Sequence, residues 1–265
     1  MNLVSKKFTI FGNPVEHSIS PKMHTFAIKG LGLDAVYNKF KLENGERLKE
    51  EFFTQNLNGA NVTVPHKETA FKSCDEVRGI AKEIGAVNTL VLEDGKMIGY
   101  NTDAIGFYMS ASEFKDIKKI LIIGAGGTAK AISLIYKQKN LDVSILNRSK
   151  NRVKIFKENG FNAYCWDEFS AGKYDLVVNT TSAGLVDNEY PLPKNMLIDI
   201  LNNSKYAIDV IYNKNTPFLA LAKELNIPCK DGSDMLLYQG VKALNLFYKD
   251  RLYEESVTKF MKKAF

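Results

Sequence analysis

The chain has 265 residues, room for one large domain or two modest ones, and enough in either case to bury a core without disulfides or a structural metal. Thirty-six basic against thirty acidic side chains give a formal charge of +6, modest and spread along the chain. That balance suits small anions as guests and argues against nucleic acid, because the lysine clusters are short and lack interleaved aromatics.

Cys74, Cys165 and Cys229 lie far apart and never in C-x-x-C spacing, the pattern of a reduced, cytoplasmic protein. The first residues lack the apolar stretch of a signal peptide, and there is no run of about 18 apolar residues, so neither secretion nor a membrane span is expected.

In chain order, the opening segments read as a strand at 8–11, a helix at 21–30, a strand at 36–42 and a strand at 61–64, a βαβ pattern. Ser18 and Ser20 stand two apart just before the first helix, where their hydroxyls either bind a carboxylate or cap the helix. The fourth segment ends in Thr63-Val64-Pro65-His66-Lys67, polar residues at a strand end where a proline stops the strand. Lys67 is the leading candidate for a proton shuttle, since lysine can give up its proton and arginine cannot; the alternative is a surface lysine starting a helix.

Two further strands, 87–92 and 97–100, are joined through Asp94-Gly95, a strong hairpin signal that makes the first sheet mixed. Asn101-Thr102-Asp103 follows, and Asp103 either caps the next helix or holds and orients the Lys67 ammonium.

The second half opens with the apolar run 120–123 and the turn Gly124-Ala125-Gly126-Gly127-Thr128-Ala129, followed by a helical stretch at 131–137. A strand ending in G-x-G-x-x-A lets backbone approach a pyrophosphate, and the helix start offers unpaired N–H groups to its oxygens. The next strand, 143–146, ends in Asn147-Arg148-Ser149, with Arg152 one helical turn on. An NAD site would place an acid there, about 20 residues past the first glycine, to take the ribose hydroxyl. Asp142 sits at the wrong end of the strand, whereas Arg148 and Arg152 supply planar donors for a 2′-phosphate, so NADP is expected unless the two arginines merely solvate a surface helix.

Short apolar strands around Ala163, at 176–178 and at 207–210 complete a parallel sheet, and helices at 235–248 and 253–263 are expected to return to the first domain. The fold class is therefore α/β with two domains: 1–103 plus 236–265, a mixed-sheet substrate domain, and 104–235, a Rossmann-like, doubly wound NADP-binding domain. No metal is expected, because His17, His24 and His66 lack H-x-x-x-H spacing and no cysteine lies near them in sequence. The G-x-S-x-G elbow of many serine hydrolases is absent.

Taken together, these segments resemble the shikimate dehydrogenase family, which includes shikimate/quinate enzymes. The likeness runs from Phe11 to about Gln239. It is carried by Gly12-Asn13-Pro14 through His24, by 59–67, by Gly85-Ala86-Val87-Asn88-Thr89 and 99–106, and by the glycine turn with Asn147-Arg148-Ser149. Asn179-Thr180-Thr181-Ser182, Asp209-Val210-Ile211-Tyr212, Thr216-Pro217-Phe218-Leu219 and Asp231-Gly232-Ser233-Asp234-Met235-Leu236 continue it in the family's order.

The resemblance implies an oxidoreductase of aromatic amino-acid biosynthesis, reversibly reducing 3-dehydroshikimate to shikimate with NADPH. It implies that Lys67 and Asp103 form the catalytic pair and that Ser18, Ser20 and Tyr212 hold the substrate carboxylate. Thr63, Asn88 and Gln239 would complete the substrate pocket. Gly124 to Ala129 would line the pyrophosphate, while Asn147, Arg148, Ser149 and Arg152 take the adenosine phosphate and Gly232 and Met235 lie beside the nicotinamide. Partners beyond the small molecules are not implied, and monomer and homodimer both stay open. Quinate with NAD is the nearest rival, disfavoured by the paired serines and the arginines; a noncatalytic NADPH-binding module is disfavoured by an intact Lys67 and Asp103. The chain departs from the usual family pattern at Thr25, Ser149, Asp231 and Gly240. The last places a glycine in a helix at a cost of about 1 kcal/mol and is expected to loosen it.

Overall fold

The apolar run at 8–11 lies within β1 (Lys6–Gly12), followed by α1 (Ser20–Gly30), β2 (Ala35–Lys41), α2 (Leu48–Thr54) and β3 (Gly59–Val62). The computed structural model describes residues 5–265; residues 1–4, the start of the expected first domain and of the segment read for a signal peptide, lie outside the described residues. The chain divides into two units, Met1–Gly106 with Leu237–Phe265, and Phe107–Leu236.

In the first unit β1 runs parallel to both β2 and β3. After α3 (Lys67–Ser73), β4 (Glu76–Val77) and α4 (Ala81–Ile84), the strands β5 (Thr89–Glu93) and β6 (Lys96–Tyr100) add antiparallel pairings, giving the mixed sheet β2-β1-β3-β5-β6-β4. Asp94 and Gly95 have φ of 50° and 77°, positive at both central positions of the two-residue turn, as a type I′ hairpin demands. The segment expected as a strand over 61–64 leaves the sheet after Val62. The Thr63 amide still reaches the Phe11 carbonyl at 2.8 Å, but Pro65 has no N–H with which to continue a ladder. That early exit frees Thr63 to Lys67 to form a corner at the carboxyl end of this interior strand. Beneath it, Phe11, Leu48, Phe52, Ala70, Leu90 and Met97 pack α2 and α3 onto one face of the sheet.

The second unit takes in the second half of α5 (Asp103–Ser110) and then β7 (Lys119–Ile123), α6 (Gly127–Gln138), β8 (Asp142–Leu146), α7 (Lys150–Glu158) and β9 (Asn162–Tyr164). It continues through β10 (Tyr174–Asn179), α8 (Lys194–Asn202), β11 (Ser204–Asp209), α9 (Pro217–Glu224) and β12 (Cys229–Lys230). All pairings are parallel, in the order β12-β11-β10-β7-β8-β9. The first strand is central, the next two lie to one side and the last three to the other, which is the doubly wound Rossmann arrangement.

The alternation along β7 shows why both faces are covered. Ile120 and Ile122 join Ile132 and Tyr136 of α6 and Val153 and Phe156 of α7, while Leu121 and Ile123 join Leu197 and Leu201 of α8 and Phe218 of α9. Each such side chain, fully buried, contributes roughly 1.5–3 kcal/mol.

The chain ends with α10 (Ser233–Phe247) and α11 (Glu254–Met261), and Leu237 onward belongs to the first unit. There Phe247 stacks on Phe8 with ring centroids 4.6 Å apart, on the face of the first sheet opposite Phe11. Gly240 has a reason in this packing that the sequence alone does not reveal. A Cβ at that position would stand 2.3 Å from Met23 Cε, so the glycine admits a close approach of α1 rather than simply loosening α10.

Candidate active site and dinucleotide cavity

Lys67 is the first residue of α3, and His66 before it is anchored by its Nε2, 2.6 Å from the Leu42 carbonyl oxygen. With the backbone fixed there, Lys67 Nζ donates to Asp103 Oδ2 at 2.5 Å, and the two side chains are only 17% and 8% exposed. Asp103 opens α5, but the expected capping role falls to Asn101, whose Oδ1 accepts the amides of Asp103 at 3.0 Å and Ala104 at 3.4 Å. The division follows from reach. A residue two positions ahead of the helix start aims its side chain back at the free N–H groups, and the Asp103 carboxylate is left for the ammonium.

Asn88 pins that carboxylate from the other side, donating from Nδ2 to Asp103 Oδ1 at 2.8 Å and to Thr102 Oγ1 at 3.0 Å, with Gln239 Oε1 at 3.5 Å. Asn88 and Gln239 are buried, and Gln239 rides on α10. Gly106 makes room for it: a Cβ there would stand 2.7 Å from the Gln239 amide nitrogen. Thr63 turns its γ-methyl toward Gly12, where a Cβ would fall 2.4 Å from Thr63 Cγ2.

Ser20 is buried and Ser18 partly so; Ser18 Oγ accepts the Ser20 amide at 3.3 Å, while the residue at the N-cap of α1 is Ile19, which offers no side-chain cap. Ser18, Ser20, Thr63, Lys67, Asn88, Asp103 and Gln239 thus all belong to the first unit. Tyr212, Gly232 and Met235 belong to the second. Tyr212 follows β11, with its phenol pushed up by burial. Gly232 has backbone so close that a Cβ would stand 2.1 Å from the Val210 carbonyl oxygen, and Met235 is buried in the first turn of α10.

The second unit carries a cavity of about 1030 Å³ at the ends of β7, β8 and β10, lined by Gly124, Ala125, Gly126, Asn147, Arg148, Ser149 and Arg152 among others. Gly124 has φ of 112°, and a Cβ there would meet Thr180 Oγ1 at 2.4 Å. Gly126, the N-cap of α6, lies in extended backbone with no side-chain cap, and a Cβ on it would meet nothing within 4 Å. The first amides of α6 are therefore available to an anion. Gly127, Thr128 and Ala129 form the first turn of this helix, with Ala129 buried in the core. Arg152 Nη1 donates to the Ala125 carbonyl at 3.3 Å, tying α7 to the glycine turn. Asp142 opens β8 at the strand end away from this cavity.

Sequence reasoning missed Trp166, Asp187, Tyr190 and Lys194, which also line the cavity. For Trp166 a signal exists in hindsight: the β8–β9 register pairs Leu146 with Tyr164, so the residue two beyond each, Arg148 and Trp166, emerge side by side. Asp187 and Tyr190 come from a long connection after β10 with no periodicity to read, and Lys194 opens α8 just beyond it. The amides of Gly184 and Glu189 hold the Asp187 carboxyl below the usual carboxylate range.

No group of three or more His, Cys, Asp or Glu side chains arranged to hold a metal occurs among the described residues. None of the described helices is long and apolar enough to cross a membrane.

Comparison with known proteins gives a consistent picture. The family model described as "Shikimate dehydrogenase substrate binding domain" matches residues 10–90. A protein of Helicobacter hepaticus named shikimate dehydrogenase (NADP(+)) is 46% identical over 246 residues, covering 92% of this chain and 91% of its own. One of Helicobacter pylori with the same name is 43% identical, covering 98% and 99%. Among solved structures, the Thermus thermophilus shikimate 5-dehydrogenase in complex with NADP(H) and shikimate superposes with a TM-score of 0.85 at 32% identity, over 98% of this chain and all, 100%, of that one.

Proposed function

The chain belongs to the shikimate dehydrogenase family, and we propose that it catalyses the reversible, NADPH-dependent reduction of 3-dehydroshikimate to shikimate, with Lys67 and Asp103 handling the proton. The single observation that carries the mechanism is the 2.5 Å contact between Lys67 Nζ and Asp103 Oδ2 in a setting where both side chains are largely buried. One hydrogen of the ammonium is committed to the carboxylate, and two remain to point at a substrate oxygen.

The second unit fits the cofactor on its own terms. Uncapped α6 amides and the glycine turn suit the pyrophosphate. Asn147, Arg148, Ser149 and Arg152 suit the adenosine 2′-phosphate, and the strand end carries no acid to repel it. Gly232 and Met235 are assigned to the nicotinamide side by the family resemblance. When bound, NADPH supplies the hydride. The chain's own residues do the rest: in reduction Lys67 gives a proton to the ketone oxygen that becomes the alcohol, and in oxidation it takes that proton back. Asp103 holds the amine in place throughout. Thr63 and Gln239 offer hydrogen bonds to ring hydroxyls, a role the resemblance extends to Asn88, whose amide would trade its bond to Thr102 Oγ1 for one to substrate. Ser18 and Ser20 offer hydroxyls to the carboxylate, a role the resemblance extends to Tyr212.

The division of labour we propose gives the first unit the substrate and the second the cofactor. A cytoplasmic setting accords with three free cysteines, of which Cys74 has its thiol pushed up to about 12 by burial and is inert at neutral pH. The test is shikimate-dependent NADPH formation followed by absorbance, with quinate and NAD as controls. Turnover with shikimate and NADP well above both controls is expected; turnover with quinate and NAD alone, or tight NADPH binding with no turnover, overturns the assignment.

A further inference from the structure

Two side-chain amides in the first unit are locked by backbone groups that leave no choice of orientation. Asn88 Oδ1 accepts the Thr102 backbone N–H at 2.8 Å, and a backbone amide can only donate. Its Nδ2 must then face Asp103 Oδ1. Asn61 Nδ2 donates to the Asn88 backbone carbonyl at 3.3 Å, which can only accept, and Tyr37 OH donates to Asn61 Oδ1 at 2.7 Å. Between these two fixed amides stands one hydroxyl. Thr89 Oγ1 receives Asn61 Nδ2 at 3.2 Å and therefore sends its own proton on, to Asn88 Oδ1 at 3.0 Å.

We propose that Thr89 is a positioning residue for the reaction: its hydroxyl links Asn61 to Asn88 and, beside the Thr102 amide on the same oxygen, tightens the hold of Asn88 on the Asp103 carboxylate, so that Oδ2 stays turned to Lys67. The inference rests on the functional reading above. Every donor in the line from Tyr37 through Asn61, Thr89 and Asn88 points the same way and ends on the carboxylate, so each bond polarises the next. Burial pushes the Tyr37 phenol well above its usual range, which keeps it a donor. Thr89 is itself 0% exposed, so it acts through Asn88 and not by touching substrate. Thr102 Oγ1, 3.2 Å from Thr89 Oγ1, borders the same link.

The experiment compares Thr89→Val, which keeps the shape and removes the hydroxyl, with Thr89→Ser, which restores it, in steady-state assays with shikimate and NADP. Thr89→Val is expected to lower kcat about tenfold, the rate equivalent of one hydrogen bond, with a smaller rise in the shikimate KM and no change in the NADP KM. Thr89→Ser is expected to stay within about twofold of the parent in kcat, because it keeps the same donor and acceptor. Unchanged kcat in Thr89→Val, or equal losses in both variants, overturns the proposal and leaves Thr89 as packing. Should Thr89→Val fail to fold, Tyr37→Phe, which removes the first donor, carries the test: a lowered kcat with rescue absent from added substrate supports it, an unchanged kcat overturns it. A parent protein inactive with shikimate and NADP overturns the functional reading and this inference together, whereas an active parent matched by Thr89→Val overturns this inference alone.

Discussion

Around Lys67 the first unit spends its polar side chains on one another, whereas the cavity of the second unit is lined by the glycine turn before the uncapped α6 and by the guanidinium groups of Arg148 and Arg152. Asp103 has Lys67 on one oxygen and Asn88 on the other, and Asn88 is held in turn by Thr89 and Thr102. At the end of β7 the side chains bond backbone instead, Thr180 Oγ1 to the Ile123 carbonyl and Arg152 to that of Ala125, and the α6 amides lack a side-chain cap. The contrast teaches how each task is built. A proton must be delivered along one line, so its carrier is held by a carboxylate that is itself fixed; a long anion is gripped by many weak donors, which the glycine turn, the helix start and the arginines supply.

The two regions therefore break differently. Lys67→Ala is expected to lower kcat by about 10² to 10⁴ with NADP binding intact, measured by steady-state kinetics beside cofactor titration of the folded variant. A well-folded Lys67→Ala protein with its kcat preserved removes the lysine from the chemistry.

The next largest effect concerns His24, in the same unit. Its ring is buried against Tyr37 at a centroid distance of 4.1 Å, and burial lowers its pKa from 6.5 to about 3. Unfolding exposes the ring to water, where it takes a proton near 6.5, while the folded chain refuses that proton until about 3. Between these values the unfolded state binds the extra proton, so stability falls as pH falls through the window. At about two pH units below the upper limit the loss is on the order of 2–3 kcal/mol. His24→Phe should flatten that part of a denaturation series run from neutral pH to pH 4, and an unaltered slope would show that other groups set the acid limit.

In the second unit, Arg148→Ala should raise the NADP KM by roughly tenfold to a hundredfold, the loss of one charge-assisted contact, while kcat holds. The NAD KM should barely move. Equal losses for the two cofactors would place Arg148 in general support of the cavity and not at the 2′-phosphate.

How far the sequence alone reached follows the same division. The parallel sheet was legible because short apolar strands buried on both faces have few other uses, and the hairpin because Asp94-Gly95 has a backbone requirement that most other pairs cannot meet. The short helices α2, α4, α8 and α9 were not, since so few turns leave too little periodicity to separate from a loop. At the site, Lys67 and Asp103 stood out as chemistry at strand and hairpin ends. Asn101 did not, because its role as the cap of α5 depends on which of two neighbouring acceptors turns back, a choice made in three dimensions. Thr89 was visible only as part of a family motif; its place between two locked amides needs the sheet register that sets Asn61 opposite it.

Gly240 gives the smallest effect and the sharpest test of how tightly the first unit is packed. Helix propensity alone favours alanine there by about 1 kcal/mol. Packing opposes it, because the new Cβ would stand 2.3 Å from Met23 Cε, the end of a fully buried side chain that would have to shift. Overpacking of this kind costs typically 1–3 kcal/mol, so Gly240→Ala should come out near neutral to about 2 kcal/mol destabilised in urea unfolding. Pairing it with Met23→Leu, which shortens the opposing side chain, should recover the helix gain and leave the double variant more stable than Gly240→Ala alone. If the single variant is already more stable than the parent, the methionine yields easily, and the tight interlocking inferred for this unit stops short of α1.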